Sequence, residues 1–345
     1  MIRRSAEQRL DDVQRILDRT RILVDRRASL IPALVQSTGL SALGVEHALV
    51  HHLETDAKPE ELQRLIASAG DARHIHVILS ANVFVAALRA IVLARAAAPI
   101  VTVRPSSRDP AFANALVREI ADPDIRLASD PSAMHLEGIH EGEIHVYGRD
   151  ETIAQVRAAA PPNVIVRGHG AGIGAACIWE DFDRAAENLA DDIVVFDQRG
   201  CLSPRVAFVS GIAAPDFAAR VHASLAAREL RIPRGTLTDA ERADARRYAD
   251  TLRFAGTLYE GDTHLVGAAS SLVIPPSGRH LHVVPIENRD ALPAALGPLA
   301  KSIVTVGVSD MEATLAWPRH ARISLLGAMQ RPPLDGPVDR REASF

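Results

Sequence analysis

Apolar residues first recur at helical spacing. Leu10, Val13, Ile16, Leu17, Leu23 and Val24 line one face of a helix over residues 5–27. Two more helical stretches follow at about 41–53 and 58–69, the first opening after Gly39 with Ser41 as its N-cap. His51 and His52 fall inside it with no ligand geometry around them and read as surface histidines. From residue 74 the rhythm changes. "HIHVILS" is a short apolar strand, an Ala-rich helix covers about 83–97, and "PIVTVRP" is a second strand. "SSRDPAFANALVREI" opens a helix, with Asp109 as cap and Pro110 at its first position. "EIHVYG", "DETIAQVRAAA" and "NVIVRG" read as strand, helix and strand. Strands alternating with such helices predict a parallel sheet covered on both faces. Ligands bind at the carboxyl ends of the strands in these sheets, which directs attention to the tips after "VILS", "VTVR" and "HVYG".

The glycines of "RGHGAGIGAACI" fall at 168, 170, 172 and 174, and a strand-like run follows them in place of a helix. That alternation makes a poor dinucleotide fingerprint. It predicts a glycine-rich strand against which another backbone comes close. A helix at about 180–191 leads to "DIVVFDQRGCLSP", read as a strand running into a turn. Helices near 215–229 and 238–250 follow, the second with Thr238 and Glu241 in a capping-box pattern. The short strands "SSLVIPP", "RHLHVVPI" and "SIVTVGV", mixed with helices, predict a second α/β domain. The Pro-rich tail "RPPLDGPVDRREASF" reads as a surface segment.

Composition narrows the class. A chain of 345 residues, 47% hydrophobic and 24% charged, suits two packed cores. The net charge of −4 offers no basic field, so neither nucleic acid nor an anionic membrane is an expected partner. The longest apolar stretch, "FVAALRAIVLARAAAPIVTV", is interrupted by Arg89, Arg95 and Pro99, and no membrane span is expected. The N-terminus lacks an apolar signal core, and two cysteines make no disulfide framework. A soluble, cytoplasmic protein is the expectation.

The two cysteines differ in setting. Cys177, in "GAACIW", reads as a small core hydrophobe. Cys201 sits among turn residues. Gly200 permits a sharp bend before it, and Ser203–Pro204 read as the N-cap and first residue of a following helix. A helix N-terminus and the adjacent Arg199 would both favour the thiolate. A reactive thiolate combined with an open parallel sheet suggests thioester or thiohemiacetal chemistry with a nucleotide cofactor.

Seven stretches carry a resemblance to a known family. They are "SANVF" (80–84), "VRPSSRDPAF" (103–112), "IHVYGRDE" (144–151), "DQRGCLSP" (197–204), "GRHLHVVPI" (278–286), "VTVGV" (304–308) and "ARISLLGAM" (321–329). In this order, over about residues 35–336, the chain resembles the acyl-CoA reductases of the bacterial bioluminescence (LuxC-like) type, a divergent branch of the aldehyde dehydrogenase superfamily. "DQRGCLSP" and "RPSSRDP" are the specific motifs.

The resemblance implies an aldehyde-dehydrogenase-like α/β fold: a Rossmann-type parallel-sheet cofactor domain, a second α/β catalytic domain and a helical N-terminal segment. The implied divisions are residues 1–72, 73–195, 196–310 and a C-terminal segment 311–345 returning toward the cofactor domain or an oligomer interface. It implies NADPH-dependent reduction of an acyl thioester, on CoA or an acyl carrier, to an aldehyde, with Cys201 as nucleophile. Asn82 and the Cys201 backbone N–H would hold the oxyanion. In "VRPSS", Arg104, Ser106 and Ser107 match the superfamily's Lys-Pro-Ser-Glu cofactor segment; Ser107 stands in place of the acid, which leaves room for a 2′-phosphate on Arg104 and favours NADPH over NADH. Gly148 and Arg149 would meet a phosphate at the helix beginning near Asp150.

No carboxylate occurs between Arg167 and Ile178, where aldehyde-oxidising relatives keep a general base, so hydride rather than water is expected to resolve the acyl-enzyme. His169 lies in that segment as a candidate acid or base. Two alternatives stay open: a reversible CoA-acylating aldehyde dehydrogenase, and a non-catalytic acyl acceptor for a partner acyl-protein synthetase. A homo-oligomer is also open, and no metal is expected.

Overall fold

The structure is a computed structural model that describes residues 4–81, 83–129, 136, 139–311 and 318–341. The chain divides into two compact units, the first built from residues 1–38, 48–171 and 333–345, the second from 39–47 and 172–332.

The first unit opens with α1 (Ala6–Asp25), started by a capping box in which the Ser5 hydroxyl accepts from the Gln8 N–H and the Gln8 side chain accepts from the Ser5 N–H. Its stripe of Val13, Ile16, Leu17 and Leu23 is buried, as the spacing predicts. Helices α2 (Ile31–Thr38), α3 (Ala42–His51) and α4 (Pro59–Ser68) follow, α3 counting with the second unit up to His47. Then come β1 (His74–Ile78), α5 (Ala86–Ala97), β2 (Ile100–Arg104), α6 (Ala111–Ile120), β3 (Ile125–Leu127), β4 (Glu143–Tyr147), α7 (Asp150–Ala159) and β5 (Ile165–His169). The strands are all parallel in the order β3-β2-β1-β4-β5. This is a doubly wound sheet whose direction of travel reverses between β1 and β4, and the crevice at that point is where such sheets take ligands.

Helix α5 is buried from Ala87 to Ala97, which explains how it tolerates two arginines: both are paired. Arg95 bridges Asp12 and Asp122 at 3.2 and 3.3 Å. Arg89 donates to Glu54 at 2.7 Å and to the carbonyls of Pro333 and Gly336 at 3.0 and 2.7 Å. The Leu334 N–H donates to Glu61 at 2.9 Å, and Leu334 is fully buried. The tail from Pro333 is thus packed into the first unit instead of lying on the surface. Among the described residues no helix is long and apolar enough to cross a membrane.

The second unit contains β6 (Ile173–Ile178), α8 (Phe182–Val194), β7 (Pro204–Val209), α9 (Ala214–Glu229), α10 (Asp239–Ala255), β8 (Thr257–Glu260), β9 (Leu265–Ala268), β10 (His280–Pro285), α11 (Leu292–Leu296), β11 (Ile303–Val308) and β12 (Arg322–Leu325). The sheet order is β12-β11-β6-β7-β10-β9-β8, parallel except for the β8/β9 pair. Leu189, Ile193, Phe217 and Val221 form the core on one face, Val206, Phe208, Leu292 and Val306 on the other. Residues 172–195, grouped by sequence with the first sheet, are contacted mainly within this unit.

Local readings changed here for physical reasons. "DIVVF" holds the end of α8, not a strand: Ile193 and Val194 extend the buried stripe of Ala186, Leu189 and Ala190. Asp192, in the same turn, accepts from the Gly327 and Met329 N–H groups at 2.6 and 2.9 Å. "SSLVIPP" forms no strand, because Pro275 and Pro276 have no N–H to give a ladder, and β8 and β9 lie upstream of it. Asp109 does not cap α6; Pro110 takes that position, and buried Asp109 accepts from the Ser37 hydroxyl at 2.7 Å. The capping box of Thr238 and Glu241 starts α10 as the sequence predicts.

Candidate active site

In the first unit, the strand tips gather the residues that the motifs single out. Arg104 ends β2 beside Ile78 of β1 and is 8% exposed. Burial, with His74 and Arg104 nearby, pushes the pKa of His76 down to about 4. Arg104 is therefore a buried cation at a strand tip, not a surface side chain. Ser106 accepts from the Arg108 N–H at 3.3 Å, and Ser107 is exposed. After β4, Arg149 is the N-cap residue of α7 by its backbone (φ −74°, ψ 154°), with no side-chain capping bond. Asp150 is not the cap; it lies in the first turn, and its carboxylate accepts from the Ala171 N–H at 3.2 Å. A Cβ on Gly148 would meet only Thr152, at 3.7 Å, so the approach to the backbone here is open.

His169 ends β5 with its ring stacked on Tyr147, centroids 4.3 Å apart. Burial pushes its pKa down to about 3, so the ring is neutral through the physiological range and is suited to hydrogen bonding rather than to carrying charge. Asn82 lies outside the described residues.

In the second unit, Cys201 occupies the turn between α8 and β7 and is partly exposed. The backbone before it takes an uncommon path: Phe196, Asp197 and Gln198 have φ of 54°, 48° and 63°. A left-handed residue other than glycine costs about 1–2 kcal/mol, so three in succession persist only where the surroundings hold them. They are held. Phe196 is buried in the core. Asp197, 1% exposed, accepts from Arg279 Nε and Nη2 at 2.9 and 2.8 Å and from the Gly235 N–H at 2.9 Å. Gln198 donates to the carbonyls of Pro204 and His280, both at 2.6 Å, and accepts from the His280 N–H at 2.8 Å. Arg199 pairs with Glu241 at 3.3 Å and donates to the Thr236 carbonyl at 2.9 Å.

On the far side of the cysteine, β6 presses against the turn. A Cβ on Gly174 would lie 2.6 Å from the Leu202 carbonyl oxygen and 2.9 Å from the Ser203 carbonyl carbon. This is the close backbone approach that the alternating glycines predict.

One expectation about Cys201 is overturned. Ser203 and Pro204 lead into strand β7, so this segment does not supply the helix N-terminus that the sequence suggested. Buried Ser203 accepts from Gln330 at 3.1 Å, and Arg199 is already paired with Glu241. Position on the turn is what distinguishes this cysteine. Cys177 is fully buried, and burial pushes its thiol up to about 12, which fits its structural reading.

Sequence reasoning missed Asp197, Gln198, Arg279 and Gly174 as determinants of the turn. The signal available was the polar pair just before "RGC": neither residue has an evident use on a surface loop.

Burial also sets a pH dependence. His264 and His280 are 3% and 2% exposed, and burial pushes them down to about 4 and about 3. Unfolded, both titrate near 6.5, so below that pH the unfolded chain binds more protons. Stability is then full above pH 6.5 and is lost as pH falls toward the folded values. The slope expected is up to about 1.4 kcal/mol per pH unit for each group. Urea midpoints at about pH 7.5, 6 and 5 should drop mainly across the last interval; equal midpoints would contradict this.

A doubly wound parallel-sheet unit and a mixed-sheet unit bearing a cysteine on a locked turn define an aldehyde-dehydrogenase-type fold. Solved structures agree. An NAD-dependent aldehyde dehydrogenase from Sinorhizobium meliloti superposes with a TM-score of 0.70 at 14% identity, covering 92% of this chain and 75% of that one. An NAD-dependent benzaldehyde dehydrogenase from Corynebacterium glutamicum gives 0.66 at 14% identity, over 87% and 76%. Lactaldehyde dehydrogenase from Escherichia coli gives 0.63 at 16% identity, over 88% and 74%. The model of the LuxC acyl-CoA reductase family matches residues 40–333, and the chain belongs to that family. No curated protein matches it.

Proposed function

We propose that the protein reduces an acyl thioester to an aldehyde with NADPH, through an acyl group carried on Cys201. The observation that carries this reading is the Cys201 turn: a partly exposed thiol on a backbone fixed on both sides by buried bonds, within the family-matched stretch. The Cys201 thiolate attacks the thioester carbonyl, the carbon–sulfur bond to the carrier breaks, and the carrier leaves as its thiolate. The Cys201 N–H donates to the oxyanion, and Asn82 is the side-chain donor that the family resemblance assigns. When the acyl group has been reduced, the Cys201–carbon bond breaks and the aldehyde leaves.

The first unit fits a dinucleotide. The strand order reverses between β1 and β4, the backbone at Gly148 is open, α7 presents its N-terminus beside it, and Arg104 is a buried cation at a neighbouring tip. A bound nicotinamide dinucleotide supplies the hydride. Arg104 binds the 2′-phosphate, Arg149 and the α7 N-terminus meet the pyrophosphate, Ser106 and exposed Ser107 line the ribose side, and neutral His169 serves as a hydrogen-bonding group.

The test is turnover of acyl-CoAs of graded chain length with NADPH and with NADH, following cofactor oxidation and aldehyde. Arg104→Gln should raise the KM for NADPH by about 10–100-fold, the worth of a lost charge-assisted bond, and should leave NADH turnover nearly unchanged. Equal losses with both cofactors would refute the assignment of Arg104 to the phosphate.

A further inference from the structure

Three buried N–H donors on the Cys201 side of the second sheet lack an acceptor. His280, 2% exposed at the start of β10, accepts from the Leu265 N–H through Nδ1 at 3.0 Å. The ring proton is then on Nε2, and that buried atom has no partner. Arg205 Nε and Arg234 Nε are likewise buried and unbonded. The remaining bonds of these guanidiniums go to backbone carbonyls: Arg205 to Pro275 at 2.7 Å, Arg234 to Thr263 and Gly278.

The three share one neighbourhood. Both guanidiniums stand close enough to His280 to depress its protonation. Strands β7 and β10 run parallel with Val206 opposite His282, which sets His280 level with Pro204, and the Gln198 side chain touches the carbonyls of both. Arg205 owes its position to a shift in register: Gly174 pairs with Pro204 and the next residue, Ala175, with Val206, so Arg205 is the extra residue. A Cβ on Gly278 would come within 3.3 Å of both His280 Nε2 and Leu237, so the glycine keeps a side chain from crowding that nitrogen. The carboxylates nearby are in use. Asp197 serves Arg279 and the Gly235 N–H; Glu229 serves Arg279, Thr263 and the Arg234 N–H.

No carboxylate offsets the burial of Arg205, and half-buried Arg234 shares Asp197 and Glu229 with Arg279, so three cations meet two carboxylates; an unbalanced charge of this kind is costly, and a water molecule cannot neutralise it. We propose that Arg205, Arg234 and His280 form an oxyanion-binding site beside the Cys201 turn, which holds a phosphate or carboxylate group of the thioester substrate. The word substrate rests on the acyl-Cys201 reading; the anion site itself does not. A phosphate would come from the carrier, a carboxylate from the far end of the acyl chain, and the experiment separates them.

Thermal unfolding of the full chain in sodium phosphate and in sodium succinate is compared with sodium chloride at equal ionic strength. The wild type gains several degrees in at least one of the two; Arg205→Met and Arg234→Met lose that gain, and Arg205→Lys keeps part of it. Turnover then identifies the source. If the anion is a carrier phosphate, Arg205→Met lowers kcat/KM for an acyl-CoA at least tenfold and spares the matching N-acetylcysteamine thioester. If it is an acyl carboxylate, the loss is confined to half-thioesters of dicarboxylic acids. A wild type with no anion-specific gain overturns the site, as do cooperatively folding Met variants that retain the gain. Should Arg205→Met not fold, Arg234→Met and Arg205→Lys make the same comparison. Anion binding that persists in a protein inert toward thioesters would count against the acyl-Cys201 reading and not against the site.

Discussion

Cys201→Ala should lose aldehyde formation by a factor of about 10⁴ or more in kcat/KM, because the substitution removes the proposed acyl carrier. Affinity for the dinucleotide should not change, since every residue assigned to it lies in the first unit and Cys201 in the second. The substitution should also leave the turn in place. Its backbone is held by the side chains of Asp197, Gln198 and Arg199 and by the contact with Gly174. Cys177→Ala is the matched control: that thiol is sealed in the core, and turnover should survive its removal. Cofactor oxidation with an acyl-CoA and an equilibrium titration with NADPH check both halves. Turnover that survives in Cys201→Ala would remove the covalent step.

The largest stability effect is expected at Arg279→Met. Arg279 is 2% exposed and bonds Asp197, Glu229 at 2.7 Å and the Ile232 carbonyl at 2.7 Å. Removing it leaves a carboxylate buried without its cation, which costs about 3–5 kcal/mol. The left-handed backbone of Phe196, Asp197 and Gln198 would lose a main restraint at the same time. Asp197→Asn in the same chain should recover part of the loss, so the double variant should be less unstable than the two single costs added together. Urea unfolding measures all three. Additive losses would mean that the ion pair is not the unit that holds the turn.

How much of this was legible in the sequence depends on the range of the forces. The alternation of strands and helices from His74 onward is local, and it gave the first sheet and its tips. The capping boxes at Ser5 and Thr238 are equally local. The glycines at 168–174 announced a close approach but could not name the partner, because Leu202 arrives only when β7 lies beside β6. The turn at Cys201 was misjudged for the same reason. Ser-Pro is a fair helix start, yet Pro is equally at home as the first residue of a strand, and pairing with Gly174 decided for the strand. The positive φ values at 196–198 run against the propensity of Phe, Asp and Gln, and are enforced by Arg279 and His280, each 82 residues along the chain from its partner. No window of sequence contains that information. In the same way, the burial of Arg104 became visible only when β1 was set beside β2.

The intact mass of the full-length protein, taken after exposure to an acyl-CoA without NADPH, tests the acyl-enzyme most directly. The wild type should gain the mass of one acyl group, located by peptide mapping at Cys201 and released as aldehyde when NADPH is added. Cys201→Ala should gain nothing. A wild type that forms aldehyde yet never carries the acyl mass, or carries it at another residue, would contradict the assignment of Cys201.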